Sequence, residues 1–517
     1  DIPDNKALQT SNDVENALQS AFGILRSEDC YGGAWILWPE IMADNFQLNP
    51  NYAGQIPELN IYNRNLRAND SLIAKSWKAG YRVIALANSV LQATQNNKIR
   101  DGDIEANKDR FIGEAYFLRA ISHFELVKLF APQITESNQS TLAIPLVTKY
   151  AESINYQKRG SLIEVYNQII SDLDNGVAAL ARAGRMRNKR GESVPLGSGF
   201  DAFNRPTVDI SRALKAKVLM QTGFQENLSL AVNEINQVIE EPLDTFNLIP
   251  FEITPGTRFY PLPYPLFNQI SENLNGMFGN NSGKSAQFST LDPNGIGLYE
   301  FLFSIMNQNV SGGSPIMNRV EFLQNRYSLN RQSLILNLRN EPIYAVGRNP
   351  DTRLFLKSTD KRFKAFFIRN PNYNIISPGF TVPACNKFGD VRVFNIPVIR
   401  SADLMLLRSE ANFKLGQIKK SFFDLLFVKY RAGMCPPELV TEYYSKINDA
   451  TFLSNLPNEI QAERRRELVA EGDRLHSLRR TRTNIPETTW RPGIAWDAPE
   501  LVFPIPESET SLNPNSK

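Results

Sequence analysis

The sequence predicts a mainly α-helical protein of tetratricopeptide-like helix pairs, with a loop-rich side and a few short strands. Three observations carry that prediction. Apolar residues recur at helical spacing in the first and last parts of the chain, glycines stand just past the ends of those runs, and Pro, Gly and aromatic residues concentrate between 242 and 400. The 517 residues are ample for a large core, and helical-repeat folds grow by stacking beyond ordinary domain sizes. Hydrophobic residues make up 42% and charged residues 21%, as in ordinary globular proteins.

Taken in order, residues 28–68 hold Tyr31, Trp35, Trp38, Tyr52 and Tyr62 and read as a loop-rich stretch. The helix expected around 109–131 carries Phe117, Ala120, Ile121, Phe124 and Val127 on one stripe, with Leu118 and Leu126 beside it. A helix that apolar packs on more than one side, and Pro132 ends it. Val165, Ile169, Leu173, Val177 and Leu180 then form one apolar face, opened by Ser161 and Glu164 as a capping box. Two tight helical hairpins follow. In the first, 210–222 stops at Gly223 and a new face starts with Leu228, Ala231, Ile235 and Val238; in the second, 401–415 stops at Gly416 and 418–432 at Gly433. Glycine just past a helix supplies the left-handed stop. Ala213, Ala216, Ala402 and Ala411 let paired helices approach closely. The pattern suits divergent tetratricopeptide-type pairs without the strict repeat spacing, and irregular helical packing is the alternative.

Between these parts, 242–400 clusters Pro255, Pro261, Pro263, Gly276, Gly279 and Gly312 among Asn, Ser and aromatics, and reads as loops with short strands. Loops on a rigid scaffold are where binding residues gather. The expected organisation is a single unit over 1–517: an N-terminal helical part to 241, the loop-rich excursion 242–400, and a C-terminal helical part 401–517 ending in an extended Pro-rich tail from 484.

The net charge of +3 gives no whole-molecule electrostatic case for nucleic acid. The Arg-rich run 463–482 interleaves Glu463, Glu467 and Glu471 with Arg464, Arg466 and Arg474, which favours internal ion pairs on a helix over a bare cationic stripe. Cys30, Cys385 and Cys435 are scattered without a CxxC pair, so neither a disulfide framework nor a zinc site is expected. The two histidines, His123 and His476, stand alone, His123 on a helix that reads as buried. No GxSxG, HExxH, P-loop or GxGxxG occurs, so no catalytic residue, metal or cofactor is expected. An enzyme on this chain would rely on paired carboxylates, as glycosidases do, with Asp44 a possible acid and a structural role its alternative. No run approaches the ~20 apolar residues of a membrane helix. The start at Asp1 without Met or leader suggests a processed or truncated product.

Flat aromatic faces stack on sugar rings while nearby polar groups bond hydroxyls, and peptides can use the same surface. On that ground Tyr31, Trp35, Trp38, Tyr62, Tyr260, Tyr264 and Tyr299 are the candidate stacking platform, with Asp44, Asn45 and Arg64 as polar contacts. Taken singly, each of these aromatics is read first as a plug of its loop onto the core, and as a stacking face second.

Several ordered blocks carry a resemblance. RFIGEAYFLRAISHFELVKLF (110–130), IPLV (144–147), RGSLIEVYNQIISDLDNGVAAL (159–180) and ISRALKAKVLMQTG (210–223) are similar to the N-terminal pattern of the SusD/RagB family. IRSADLMLLRSEANFKLGQ (399–417), YRAG (430–433), ERRRELVAEGDRLHSLRR (463–480) and FPIPESETSLNPN (503–515) resemble its C-terminal pattern. Leu426, Lys429 and Ser477 depart from it at positions that read as structural. The resemblance implies a helical superhelix of four tetratricopeptide-like pairs and a non-catalytic, lipid-anchored protein on the outer face of the outer membrane. It implies glycan capture, or peptide capture in some members, beside a SusC-like TonB-dependent transporter, with the anchoring cysteine outside this chain. Two rival classes remain: a helical-barrel glycoside hydrolase and an intracellular repeat scaffold for a protein partner.

Overall fold

The computed structural model describes residues 8–48, 57–96, 98–99, 101–150, 157–187, 205–239, 396–432, 448–488 and 491–513, and the short strands 193–195, 301–305, 334–336, 367–368 and 384–385. Most of the excursion expected over 242–400 therefore lies outside the described residues, as do Tyr52, Gly433 and Cys435.

Helix α1 (Ser11–Leu25) starts at a capping box in which Thr10 and Asp13 exchange bonds, Asp13 N to Thr10 Oγ1 at 3.2 Å and Thr10 N to Asp13 Oδ2 at 2.9 Å. It packs on α4 (Ser71–Gln95) and α5 (Ile104–Phe130), with α2 (Ala34–Met42) and the single turn α3 (Leu59–Tyr62) between them in the chain. Helix α5 is buried on nearly all sides, as its apolar content predicts, and His123 on it is fully buried. Helix α6 (Leu162–Ala183) opens at Ser161, whose backbone N–H donates to Glu164 Oε2 at 2.8 Å. It lies close on α5 because two glycines face each other: a Cβ on Gly113 would stand 2.5 Å from Leu180 Cγ, and one on Gly176 3.5 Å from Gly113 O.

Helices α7 (Val208–Thr222) and α8 (Gln225–Val238) form the next pair, turned by Gly223 at φ 70°. Helices α9 (Ser401–Lys414) and α10 (Ile418–Arg431) form another, turned by Gly416 at φ 73°. Buried bidentate ion pairs clamp the stack. Arg119 donates to both Asp172 oxygens at 2.8 and 2.6 Å and to Asn88 Oδ1 at 2.7 Å, joining α4, α5 and α6. Arg408 donates to Asp424 at 2.9 and 2.8 Å and to Asn236 Oδ1 at 2.8 Å, joining α8, α9 and α10.

Helix α11 (Ala450–Leu468) and the short α12 (Arg474–Arg480) close the C-terminal half, followed by α13 (Glu507–Leu512). The Arg-rich run is thus two helices. Glu471 is off the helix, because the chain turns through Ala470 at φ 66° and Gly472 at φ 79°. Its ion pairs are internal, as expected, but several reach distant elements, Arg464 to Asp403 at 2.6 Å and Arg474 to Asp44 at 2.7 Å, while Arg466 to Glu463 at 2.7 Å and Arg464 to Asp473 at 2.5 Å stay within the run.

The described strands make two-stranded antiparallel sheets: β1 (Phe46–Leu48) with β7 (Leu334–Leu336), β2 (Leu142–Pro145) with β3 (Arg159–Ser161), β4 (Arg185–Arg187) with β5 (Ser193–Pro195), β6 (Phe301–Ile305) with β10 (Ile396–Arg400), and β8 (Phe367–Ile368) with β9 (Ala384–Cys385). Of these pairings β1–β7 ties the excursion to the N-terminal part, and β6–β10 closes the excursion on the strand that leads into α9. Leu48 faces Leu334 where the chain leaves α2, and Ile396 faces Ile305 just before α9 begins.

Candidate functional site

The region singled out by its aromatics, 28–68, contains α2 rather than open loop. Its sequence AWILWPEIM has one polar residue, Glu40, and so no apolar–polar alternation to announce a helix. A segment apolar on every side is a helix buried on every side, and all nine of its residues are buried. Trp38 stacks on Phe503 at 5.0 Å, Phe503 contacts Phe130, Phe130 contacts Trp77 at 4.8 Å, and Trp77 contacts Tyr81 at 4.8 Å. Tyr31 meets Trp35 edge-on at 5.1 Å, and the Trp35 indole N–H donates to Ser76 Oγ at 3.1 Å. The rings form a seam through the interior.

A polar network sits where the chain leaves α2. Arg474 donates Nε to Asp44 Oδ1 at 2.7 Å and Nη2 to Asp44 Oδ2 at 3.0 Å. Arg465 lies 3.4 Å from Asp44 Oδ2 and donates Nε to Asn45 Oδ1 at 2.7 Å. Asn45 Nδ2 donates to Glu40 Oε2 at 2.6 Å, and Glu40 Oε1 accepts from Gly472 N at 3.1 Å. Two guanidinium groups, Arg64 and Arg491, cover the carbonyl end of α2: Arg64 Nε donates to Met42 O at 2.9 Å and Arg491 Nη1 to Ile41 O at 3.0 Å. Cations there complement the negative end of the helix dipole. Arg491 also lies over the Tyr62 ring, 5.0 Å from its centroid.

The structure therefore brings Tyr31, Trp35, Trp38, Asp44, Asn45, Tyr62 and Arg64 together around α2, none more than 9% exposed. This corrects the expectation of an open stacking platform with polar contacts at those seven positions, because their rings and polar groups are consumed by internal packing and hydrogen bonds. Tyr260, Tyr264 and Tyr299 lie outside the described residues. Asp44 is also corrected as an acid. Burial alone would raise its carboxyl, but Arg465 and Arg474 outweigh burial and hold it well below the usual carboxylate range, whereas an acid catalyst at neutral pH needs a raised value.

Sequence reading missed Glu40, Arg465, Arg474 and Arg491. A lone carboxylate inside an apolar run was the available signal for Glu40; nothing local marks the arginines as its neighbours. Burial pushes the Glu40 carboxyl up to about 7 despite the bonds from Asn45 and the backbone. Its native value exceeds the ordinary 4.5, so the native state holds the proton more tightly. Its stabilising contribution is complete below pH ~4.5 and is lost as pH rises towards 7, by roughly 2–4 kcal/mol. Urea titrations between pH 4.5 and 7 are expected to show that slope, and Glu40→Gln to flatten it. A slope unchanged by the substitution overturns the assignment.

Beneath this network, what α2 delivers is position. Asp44 and Asn45 are pinned immediately before β1, the strand that receives β7 from the excursion. The arrangement holds the β1–β7 pairing in register.

Comparison with known proteins follows the same lines. A family model described as starch-binding associating with outer membrane matches residues 2–187, and one described as SusD family matches 390–517, together more than half of the chain. A SusD-like protein from Formosa agariphila is 23% identical over 93% of this chain and 86% of its own length. A crystal structure of a SusD superfamily protein from Bacteroides thetaiotaomicron superposes with a TM-score of 0.71 at 19% identity, covering 98% of this chain and 99% of that one. A SusD-like carbohydrate binding protein from Bacteroides vulgatus gives 0.66 at 16% identity, with 98% of both chains covered. At such identities the two crystal structures speak to the fold.

Proposed function

The chain belongs to the SusD family, and from that premise we propose that it is a non-catalytic binding protein that captures glycans at the outer-membrane surface. It passes them to a partner TonB-dependent transporter of SusC type, and a lipid anchor holds it on the extracellular face. The observation that carries the glycan reading is the pairing of a whole-chain fold shared with a SusD-like carbohydrate binding protein and an N-terminal match to a starch-binding, outer-membrane-associating family.

Ligand contact falls to the excursion rather than to α2, with Tyr260, Tyr264 and Tyr299 the stacking candidates. The β1–β7 pairing supports that division, since it attaches the excursion to the N-terminal scaffold, while β6 pairs with β10, which runs directly into α9. Peptide capture is the second reading, because an aromatic surface serves side chains as well as sugars.

The test is a glycan array run beside a peptide library on the folded protein, with products followed by chromatography. Glycan binding without new reducing ends is expected, and Tyr260→Ala, Tyr264→Ala or Tyr299→Ala should weaken it about fivefold where a ring is stacked, equivalent to ~1 kcal/mol. Binding of peptides alone moves the ligand class, and released sugar makes the protein a glycosidase. Protease treatment of intact cells and co-purification of a barrel transporter check location and partner; an exclusively intracellular protein overturns both.

A further inference from the structure

A second feature lies away from the excursion. A narrow crevice opens where α5, α7, β10, α9, α11 and α12 converge beside Tyr31 and Trp35. Its volume of about 70 Å³ holds roughly five waters at ~10–15 Å³ of such space each. Space on that scale suits a compact ion rather than a polymer.

The wall is charged. Lys128, Lys217, Arg400, Arg464 and Arg480 line it against four carboxylates, Glu125, Asp403, Glu471 and Asp473. The carboxylates are engaged: Glu125 by Lys128 at 2.8 Å and by the Tyr31 hydroxyl at 2.9 Å, Asp403 by Lys217 and by Arg464 at 2.6 Å, Asp473 by Arg464 at 2.5 Å, Glu471 by Arg400 at 2.8 Å. Arg480 instead pairs with Glu410, outside the crevice wall.

Donors are left over. His476 is 5% exposed, and neither ring nitrogen has a hydrogen-bond partner among the described residues. Arg480 Nη2 is likewise buried without one. A buried polar atom without a partner costs about 1–3 kcal/mol, and an acceptor held in the crevice would relieve that cost for both groups on its wall. Burial first, and then the charges of Lys128, Arg479 and Lys217, hold the His476 ring well below its ordinary range. The imidazole is therefore neutral and presents one N–H and one acceptor nitrogen.

We propose that this crevice is a binding site for one small oxyanion or carboxylate, which accepts hydrogen bonds from His476 and Arg480 between the ammonium groups of Lys128 and Lys217. Such an ion would tie α5, α7 and α12 together behind β10, the strand that carries β6 of the excursion. Its chemistry is shared by inorganic sulfate and phosphate and by small carboxylates such as acetate.

The chain has only two histidines, so imidazole-labelled protein gives two ring signals, with fully buried His123 as the internal control. Sulfate, phosphate and acetate are titrated separately at constant ionic strength set with chloride. At least one is expected to move the His476 signal saturably while His123 stays still, and to raise the pH at which His476 titrates. Lys217→Met should weaken that response about tenfold, Lys217→Arg should restore it, and Lys128→Met serves if Lys217→Met does not fold. The anion that saturates at the lowest concentration identifies the source. A linear drift shared by both histidines, or a response untouched by the lysine substitutions, overturns the site and leaves a hydrated crevice.

Discussion

Asp44→Ala is expected to lower folding stability by about 3–5 kcal/mol, the usual consequence of removing one partner from a buried ion pair. The carboxylate is 1% exposed, and Arg474 and Arg465 both converge on it. Without it two guanidinium groups lose a buried counter-charge, while Asn45 and Glu40 stay behind to mis-pair. Guanidinium denaturation at pH 7 measures the loss. The acid limb provides an independent check. Because the native carboxyl is held below its ordinary 3.8, its contribution is present above that pH and fades as pH falls through the native value. The variant should therefore lose less stability on acidification than the parent protein. A variant within 1 kcal/mol of the parent at pH 7 would mean that water or movement of the arginines replaces the pair.

Trp35→Ala and Trp38→Ala are each expected to cost about 3–5 kcal/mol by emptying a packed interior site. Trp38 loses its stacking on Phe503, and Trp35 loses both the Tyr31 contact and the bond to Ser76. The same rings, read from sequence alone, belong to a glycan platform, where truncation would weaken binding and leave stability nearly intact. The two roles separate cleanly in one pair of measurements. Trp38→Phe keeps most of the stack, so it should recover most of the stability and bind ligand normally. A Trp38→Ala protein as stable as the parent but deficient in glycan binding would return the residue to the ligand surface.

Much of the scaffold was legible before any coordinates. The α6 capping box and the two glycine-turned pairs sit within one or two residues of their expected bounds, and the apolar helix expected over 109–131 is there as α5, starting five residues earlier at Ile104. The candidate site was legible only in part. Aromatic richness between 28 and 68 drew attention to Tyr31, Trp35 and Trp38, whose rings pack in the interior, yet composition cannot tell a stacking surface from a stacked interior. The distinguishing mark was negative: α2 has almost no polar residue to place in water, which argues for burial on all sides. The Arg-rich run shows the same division. Its interleaved charges foretold internal pairing, while the break at Ala470 and Gly472 sends Arg474 to Asp44, 430 positions away in the chain.

By itself, then, the sequence determined the helix starts, stops and apolar faces, because capping, left-handed glycine turns and amphipathic spacing act over three or four residues. The ordered motif blocks, also local, carried the family. Only the tertiary structure decided which side of the aromatic rings is inside, which carboxylate each arginine meets, and that His476 and Arg480 share a crevice wall. Those outcomes depend on contacts between segments hundreds of residues apart, and in a close-packed interior such contacts are chosen by shape and charge balance among neighbours that no single window of sequence contains.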